Sequence, residues 1–254
     1  LAFCTKLASS VLLILLGAAC ASKPVAPPQT DSKSEIRASI AHLEADPDFV
    51  DVLRFVKGGQ VFLDLRFANP RNFTGRELYG PLKSCYLHRA AAEKFMAALE
   101  TLGKTHPELR VLIWDCLRPL SVQRALWKSL AGTTHQKRFT DPDARPPEGE
   151  GESSVVARAA PIESYGLSIS ASLADQEGRE LDMGTDFGFF GEEAETSREK
   201  NLLGEGVLSE TQLQNRKILR STMEAAGFVP SLEEWWRFDA LAPDQMRAHY
   251  RPVE

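Results

Sequence analysis

Two adjacent tryptophans, Trp235 and Trp236, stand between Glu234 and Arg237 in a chain with only 4 Trp among 254 residues. Aromatic side chains of this bulk favour a pleated, half-buried surface, so the stretch reads as a short strand. Alternation on a strand sends Glu234 and Trp236 to one face and Trp235 and Arg237 to the other. A twist or bulge at the strand end would bring Glu234 and Arg237 towards one cleft. Taken alone, the commoner reading is an aromatic core strand with two solvated charges; the rest of the chain has to decide.

A length of 254 residues suits one substantial domain or at most two small ones. Hydrophobic residues make up 43% and charged residues 26%, the balance of a soluble globular protein. The net charge of −5, with both signs interspersed, argues against a nucleic-acid surface, which needs a basic stripe or patch. No internal repeat points to a solenoid or propeller.

The N-terminal segment reads as a targeting signal rather than as fold. Leu7 to Ala19 is apolar behind Lys6, too short for a span of about 20 residues but suited to a signal-peptide core. Gly17-Ala18-Ala19-Cys20 resembles the lipobox of bacterial lipoproteins, which makes Cys20 the expected lipidation site; an ordinary cleaved signal is the alternative. The expected organisation is residues 1–20 as signal peptide, 21–34 as a Pro-rich tether and 35–254 as the domain. The chain is therefore expected to be exported and held at a membrane by its lipid, by resemblance on the periplasmic side of an outer membrane. Once Cys4 leaves and Cys20 is lipidated, Cys85 and Cys116 remain and could pair in an oxidising envelope. No Cys/His spacing suggests a structural zinc site.

Along the domain, Glu35 to Glu44 reads as a helix and Val61 to Ala68 as a strand with one buried face. Arg89 to Leu102 has helical spacing, with Gly103 and Pro107 as its stop. Arg110 to Leu117 reads as a buried strand running into Arg118-Pro119. Ser121 to Leu130 is a helix with Ser121 as a plausible N-cap. Thr133 to Ser153 reads as a polar surface loop, and Leu167 to Leu173 as a strand. Ser209-Glu210-Thr211-Gln212 forms a capping box that opens a helix ending at Gly227. The irregular alternation gives an α+β class, a single domain whose small, mostly antiparallel sheet is packed by helices.

The order of these landmarks resembles the D-alanyl-D-alanine dipeptidases, zinc peptidases of bacterial cell-wall metabolism. Asp64-Leu65-Arg66-Phe67-Ala68, Asn72-Phe73-Thr74-Gly75 and Leu78-Tyr79-Gly80 look like that family's N-terminal signature. Trp114-Asp115-Cys116-Leu117-Arg118-Pro119 resembles its Trp-Asp-Gly-Tyr-Arg-Pro. Met183-Gly184-Thr185-Asp186-Phe187 resembles its Met-Gly-Thr-x-Phe-Asp, and Glu234-Trp235-Trp236-Arg237 its Glu-Trp-Trp-His. The resemblance implies a zinc with three protein ligands and one open position, where the pKa of bound water falls to about 7. It also implies a glutamate base, here Glu234, and an oxyanion-stabilising arginine, here Arg118.

At the metal positions the chain departs from that pattern. The family's His-x-x-Gly-x-x-x-Asp falls on Glu163-Ser164-Tyr165-Gly166-Leu167-Ser168-Ile169-Ser170, so the ligand positions carry Glu163, Ser170 and Arg237. A carboxylate can ligate zinc, a neutral serine does so poorly, and a guanidinium has no lone pair to offer. His42, His88, His106, His135 and His249 are scattered away from the motif. The family's aspartate for the substrate amino group is Gly188 here, leaving Asp186 as a partial substitute beside Arg118 for substrate binding. The expectation is therefore no bound zinc and no cofactor. Glu163 and Arg237 are expected to form an ion pair in the former metal cavity, with Glu234 as a second acceptor.

Three functions compete at this point. The chain is a non-hydrolytic binding or interaction module for a cell-wall peptide or D-Ala-D-Ala-like ligand. Alternatively it is an active zinc dipeptidase with ligands elsewhere, or a metal-free hydrolase pairing Glu234 with Asp186 or Glu163.

Overall fold

The computed structural model describes residues 29–56, 58–139, 141–142 and 160–254. The apolar segment Leu7–Ala19, Cys20 and the start of the tether lie outside the described residues, as does most of the second half of the polar stretch Thr133–Ser153. Helix α1, Gln29–Ala45, begins inside the stretch assigned to the tether. Among the described residues no helix is long and apolar enough to cross a membrane.

A five-stranded sheet forms the centre, in the order β2 (Val61–Leu63), β4 (Arg110–Asp115), β5 (Ser168–Ala174), β7 (Arg237–Asp239), β6 (Val229–Pro230). Only the β2–β4 pair is parallel; β4–β5, β5–β7 and β6–β7 are antiparallel. A separate two-stranded ribbon pairs β1 (Phe49–Asp51) with β3 (Tyr86–His88). Val111, Leu112, Ile113 and Trp114 are all buried on β4, as an apolar run must be when both faces of its strand are covered. On β5 the serines alternate with Ile169, Ala171 and Leu173, yet both faces are buried. Ser172 is accommodated by donating to Glu180 Oε1 at 3.3 Å, and Ser170 faces the cleft described below.

The short helix α2 (Val52–Phe55) follows β1, and α3 (Arg89–Thr105) follows β3. Helices α4 (Leu120–Ser129), α5 (Glu199–Gly204), α6 (Glu210–Ala225) and α7 (Pro243–His249) complete the domain. Helix α3 packs against α6, and α1 against α4. Ser209 and Gln212 close the expected capping box on α6, at 3.2 and 2.8 Å.

Four local expectations are corrected. Val61–Ala68 is not one strand: β2 ends at Leu63 and a 3-10 helix covers Arg66–Ala68. The cause is Arg66, which lies 4.8 Å over the Trp114 ring and pairs with Glu180 at 3.0 Å and Asp186 at 3.2 Å. Helix α3 continues through Gly103 to Thr105, because Gly103 faces open space and costs only its backbone entropy. In α4 the N-cap is Pro119, and Ser121 is buried inside the first turn. Glu234-Trp235-Trp236 is a turn rather than a strand, closed by Arg237 N–H to Glu234 C=O at 3.0 Å, and β7 starts only at Arg237.

Cys85 and Cys116 form a disulfide with Cα atoms 5.5 Å apart. It fastens the start of β3 to the segment that leaves β4 towards Arg118.

Candidate functional site

A cleft of about 830 Å³ opens where the end of β5, the Glu234–Arg237 turn and the segment Pro161–Glu163 meet. Each charged group reaches it for a local reason. Glu163 sits in the first turn of a 3-10 helix, Ile162–Tyr165, that stops at Gly166 with φ 67°. A Cβ at Gly166 would come within 3.0 Å of Leu117 Cδ1 and of Phe49 Cε1, so the turn tolerates no larger residue. The Glu163 carbonyl accepts from Arg118 N–H at 3.0 Å, which ties the two segments together. Ser170 on β5 is the register partner of Arg237 on β7. Ser231 Oγ accepts from the backbone N–H of Glu233 and of Glu234, both at 3.2 Å, and from Arg237 Nη2 at 3.1 Å. This bend turns Glu234 and Arg237 into the same space.

The three positions that the resemblance assigns to metal ligands thus converge. Arg237 Nη1 is 2.9 Å from Glu234 Oε2 and 3.9 Å from Glu163 Oε1, and its Nε is 4.0 Å from Asp239 Oδ2. Glu234 is the nearer partner, so the order expected for the two acceptors is reversed. The reason is covalent proximity: the turn holds Glu234 three residues from Arg237, whereas Glu163 approaches from another segment.

Burial pushes the Glu234 carboxyl up to about 6, against the pull of Arg237 and with a further push from Glu163. Burial also raises Asp239, to about 6, with Arg237 opposing. Burial acts upwards on Glu163 too, but the Arg118 and Arg237 charges outweigh it and hold this carboxyl below its ordinary value.

Arg118 is fixed at the floor. Its Nη2 donates to Asp115 Oδ2, its Nη1 donates to Gln123 Oε1 at 3.1 Å, and its guanidinium lies 4.8 Å over the Phe67 ring. Asp115 is itself buried and accepts from the Tyr79 hydroxyl and from Cys116 N–H at 3.1 Å. Burial works against the Arg118 charge, yet Asp115 and Glu163 hold its pKa above the usual arginine range.

Zinc, which the resemblance implies, does not fit this donor set. Arg237 presents N–H groups where a ligand lone pair is needed, and Ser170 is neutral. Among the described residues no group of three or more His, Cys, Asp or Glu could hold a metal ion. Among the described residues no histidine lines the cleft. His88 caps α3 by accepting from Ala90 N–H at 3.2 Å, and His135 stacks on Phe190 at 4.2 Å.

Asp186 is not brought into the cleft. Its carboxylate pairs with Arg66 and lines a separate open cavity of about 810 Å³ with Asp64, Glu180 and Asp182. Gly188 does line the cleft, and the Phe73 ring packs over it. Sequence reasoning missed the aromatic wall of Phe73, Phe139 and Phe190, whose rings lie 4.9 to 6.0 Å apart. It also missed Ser231, and Lys137, Arg138 and Arg247 at the cleft. The only available signal was the clustering of Phe187, Phe189 and Phe190 around Gly188.

The comparisons with known proteins agree with the landmarks. The profile of the family described as D-Ala-D-Ala dipeptidase matches residues 46–251. The D-alanyl-D-alanine dipeptidase of Escherichia coli (strain K12) is 25% identical over 177 residues, covering 70% of this chain and 77% of that relative. The match spans the sheet, the cleft and every segment that builds them, and the chain belongs to the D-Ala-D-Ala dipeptidase family.

Proposed function

We propose that this family member is an exported, lipid-anchored protein of the cell envelope whose cleft binds a D-Ala-D-Ala-like cell-wall peptide without hydrolysing it. One observation carries the reading: the Arg237 guanidinium stands 2.9 Å from Glu234, the carboxylate that would act as base. With a pKa of about 6, Glu234 is ionised at neutral pH, but Arg237 engages its charge. Without a metal-activated water, the base faces a nucleophile of pKa about 16, a deficit that a carboxylate alone does not make up. Arg118 keeps its fixed guanidinium for a peptide carboxylate or carbonyl, so recognition outlasts chemistry. Cys20 supplies the anchor in this reading.

The test is metal analysis of the purified protein, together with a D-Ala-D-Ala cleavage assay with and without added zinc. The expected result is substoichiometric zinc and no release of D-alanine, with dipeptide binding detectable by calorimetry. Stoichiometric zinc together with turnover would overturn the proposal. Radiolabelled palmitate incorporation that depends on Cys20 tests the anchor.

A further inference from the structure

Five cations line the cleft, and they fall into two sets. Arg118 and Arg237 at the floor are neutralised by Asp115, Glu163 and Glu234. Arg247 on α7, and Lys137 and Arg138 on the 3-10 helix Thr134–Arg138, have no carboxylate at ion-pair distance among the described residues. Arg247 Nε and Arg118 Nε are both buried without a hydrogen-bond acceptor, and the Arg118 side chain is only 6% exposed. Buried donors of this kind are normally satisfied, so the cleft is short of acceptors rather than of donors.

The wall beside these cations is aromatic. Arg138 lies 5.7 Å over the Phe190 ring, which packs on Phe73 and Phe139. Phe73 in turn closes over Gly188: a Cβ there would overlap Phe73 Cδ1 and stand 2.8 Å from its Cε1. No carboxylate can be presented at that point of the wall. Glu195 and Glu233 also line the cleft, but the stretch carrying Phe139 carries Lys137 and Arg138.

On the reading that the cleft binds a D-Ala-D-Ala-like peptide, we infer that its ligand is an N-acylated peptide bearing a further carboxylate on the acyl arm. The apolar part of the arm lies on Phe73, Phe139 and Phe190. Its distal carboxylate supplies the missing acceptor to Arg247, Lys137 and Arg138 through charge-assisted hydrogen bonds. A free α-ammonium at the same place would meet three cations that have no carboxylate at ion-pair distance among the described residues.

The test titrates the full chain, by calorimetry or by fluorescence of the cleft-lining Trp236, with N-acetyl-D-Ala-D-Ala and N-succinyl-D-Ala-D-Ala. The succinyl probe is expected to bind about tenfold more tightly, an advantage that shrinks as salt rises. The advantage should fall to about twofold or less in Arg247→Gln and in Lys137→Gln/Arg138→Gln, the second variant guarding against misfolding of the first. Equal affinity for the two probes, or an advantage kept in both variants, would overturn the inference and leave the non-hydrolytic reading standing. Release of D-alanine from either probe would sink that reading and leave the affinity ratio to judge the subsite. Failure of both probes to bind would sink both.

Discussion

The guanidinium of Arg237 lies 2.9 Å from the carboxylate of Glu234, three residues earlier, inside a turn closed by their backbone hydrogen bond at 3.0 Å. One residue thus answers two demands at once. It places one positive charge against two carboxylates that the fold buries in one cleft, Glu163 and Glu234, and it occupies the position that the resemblance assigns to a metal ligand. Two carboxylates buried together without a cation would leave uncompensated negative charge, which a buried site does not tolerate. Arginine at this position supplies part of the compensation from within the chain.

The same carboxylates give the protein an unusual pH dependence. Glu234 and Asp239 have folded pKa values of about 6, above those of an unfolded chain. Their ionised forms are therefore disfavoured in the native state. The penalty is absent below their unfolded values, about 4, and complete above 6. Glu163 is shifted the other way, so its contribution is present above its unfolded value, also about 4, and is lost as pH falls through its depressed pKa. Stability should therefore peak near pH 4, where Glu163 already contributes in full and the penalty on Glu234 and Asp239 is only beginning. Asp239, only 7% exposed at its side chain, accounts for on the order of 1.5 kcal/mol between pH 5 and 7.5. Thermal melting should fall by about 5 °C over that interval. The slope should flatten in Asp239→Asn and, to a smaller extent because it is more exposed, in Glu234→Gln. A melting temperature that is level or rising from pH 5 to 7.5 contradicts this account.

The disulfide should matter for both stability and binding. Cys85 and Cys116 are 31 residues apart, and closing a loop of that length removes about 3–4 kcal/mol of unfolded-chain entropy in the loop-closure description. The bridge also steadies the segment from Asp115 to Arg118, where Leu117 N–H donates to Tyr86 C=O at 3.1 Å. Cys85→Ser/Cys116→Ser is expected to lose about 3 kcal/mol in urea denaturation and to bind the dipeptide probes more weakly. A loss under about 1 kcal/mol would show that the bridge does not constrain the unfolded chain as described.

Much of this architecture is legible in the sequence, and the parts that are not have a common cause. Segments governed by neighbours in sequence behaved as read: the capping box at Ser209–Gln212 and the apolar strand through Val111–Trp114 depend on residues within a few positions. Gly166, the glycine of the motif that the resemblance lays on Glu163–Ser170, has a φ of 67° in packing that admits only glycine. The misread segments answer to distant partners. Arg66 bends the chain out of its strand to reach Glu180 and Asp186, more than a hundred residues on, and the same contacts hold Asp186 out of the cleft. Two tryptophans favour a strand, but Ser231 and Arg237 impose a turn on them. Phe73, Phe139 and Phe190 form one wall from separate stretches, and no periodicity reports such an assembly.

Gly188 offers a sharp packing test. Its φ is 73°, and Phe73 occupies the space where a Cβ would stand. Gly188→Ala should cost about 2–3 kcal/mol, part from the left-handed backbone and part from the displaced ring. Phe73→Ala made in the same chain should recover the steric part, about 1 kcal/mol, as a favourable coupling in a double-mutant cycle. Strictly additive losses would show that the ring does not close over Gly188.

Rebuilding the metal site tests the donor argument most directly. Glu163, Ser170 and Arg237 line one cleft, and Ser170 and Arg237 are register partners on adjacent strands. Glu163→His/Ser170→Asp/Arg237→His places two imidazoles and a carboxylate at those positions, a donor set suited to zinc with one position open. The triple variant is expected to bind about one equivalent of zinc, at least about a hundredfold more tightly than the parent chain in a chelator competition. Arg237→His alone should give little of this gain, since Ser170 still withholds a charged donor. Glu234 is then freed from its guanidinium, so slow D-Ala-D-Ala hydrolysis that requires Glu234 should accompany zinc binding. If the triple variant binds zinc no better than the parent, the three side chains do not converge on one site. If the parent already binds it tightly, Arg237 is not what excludes the ion.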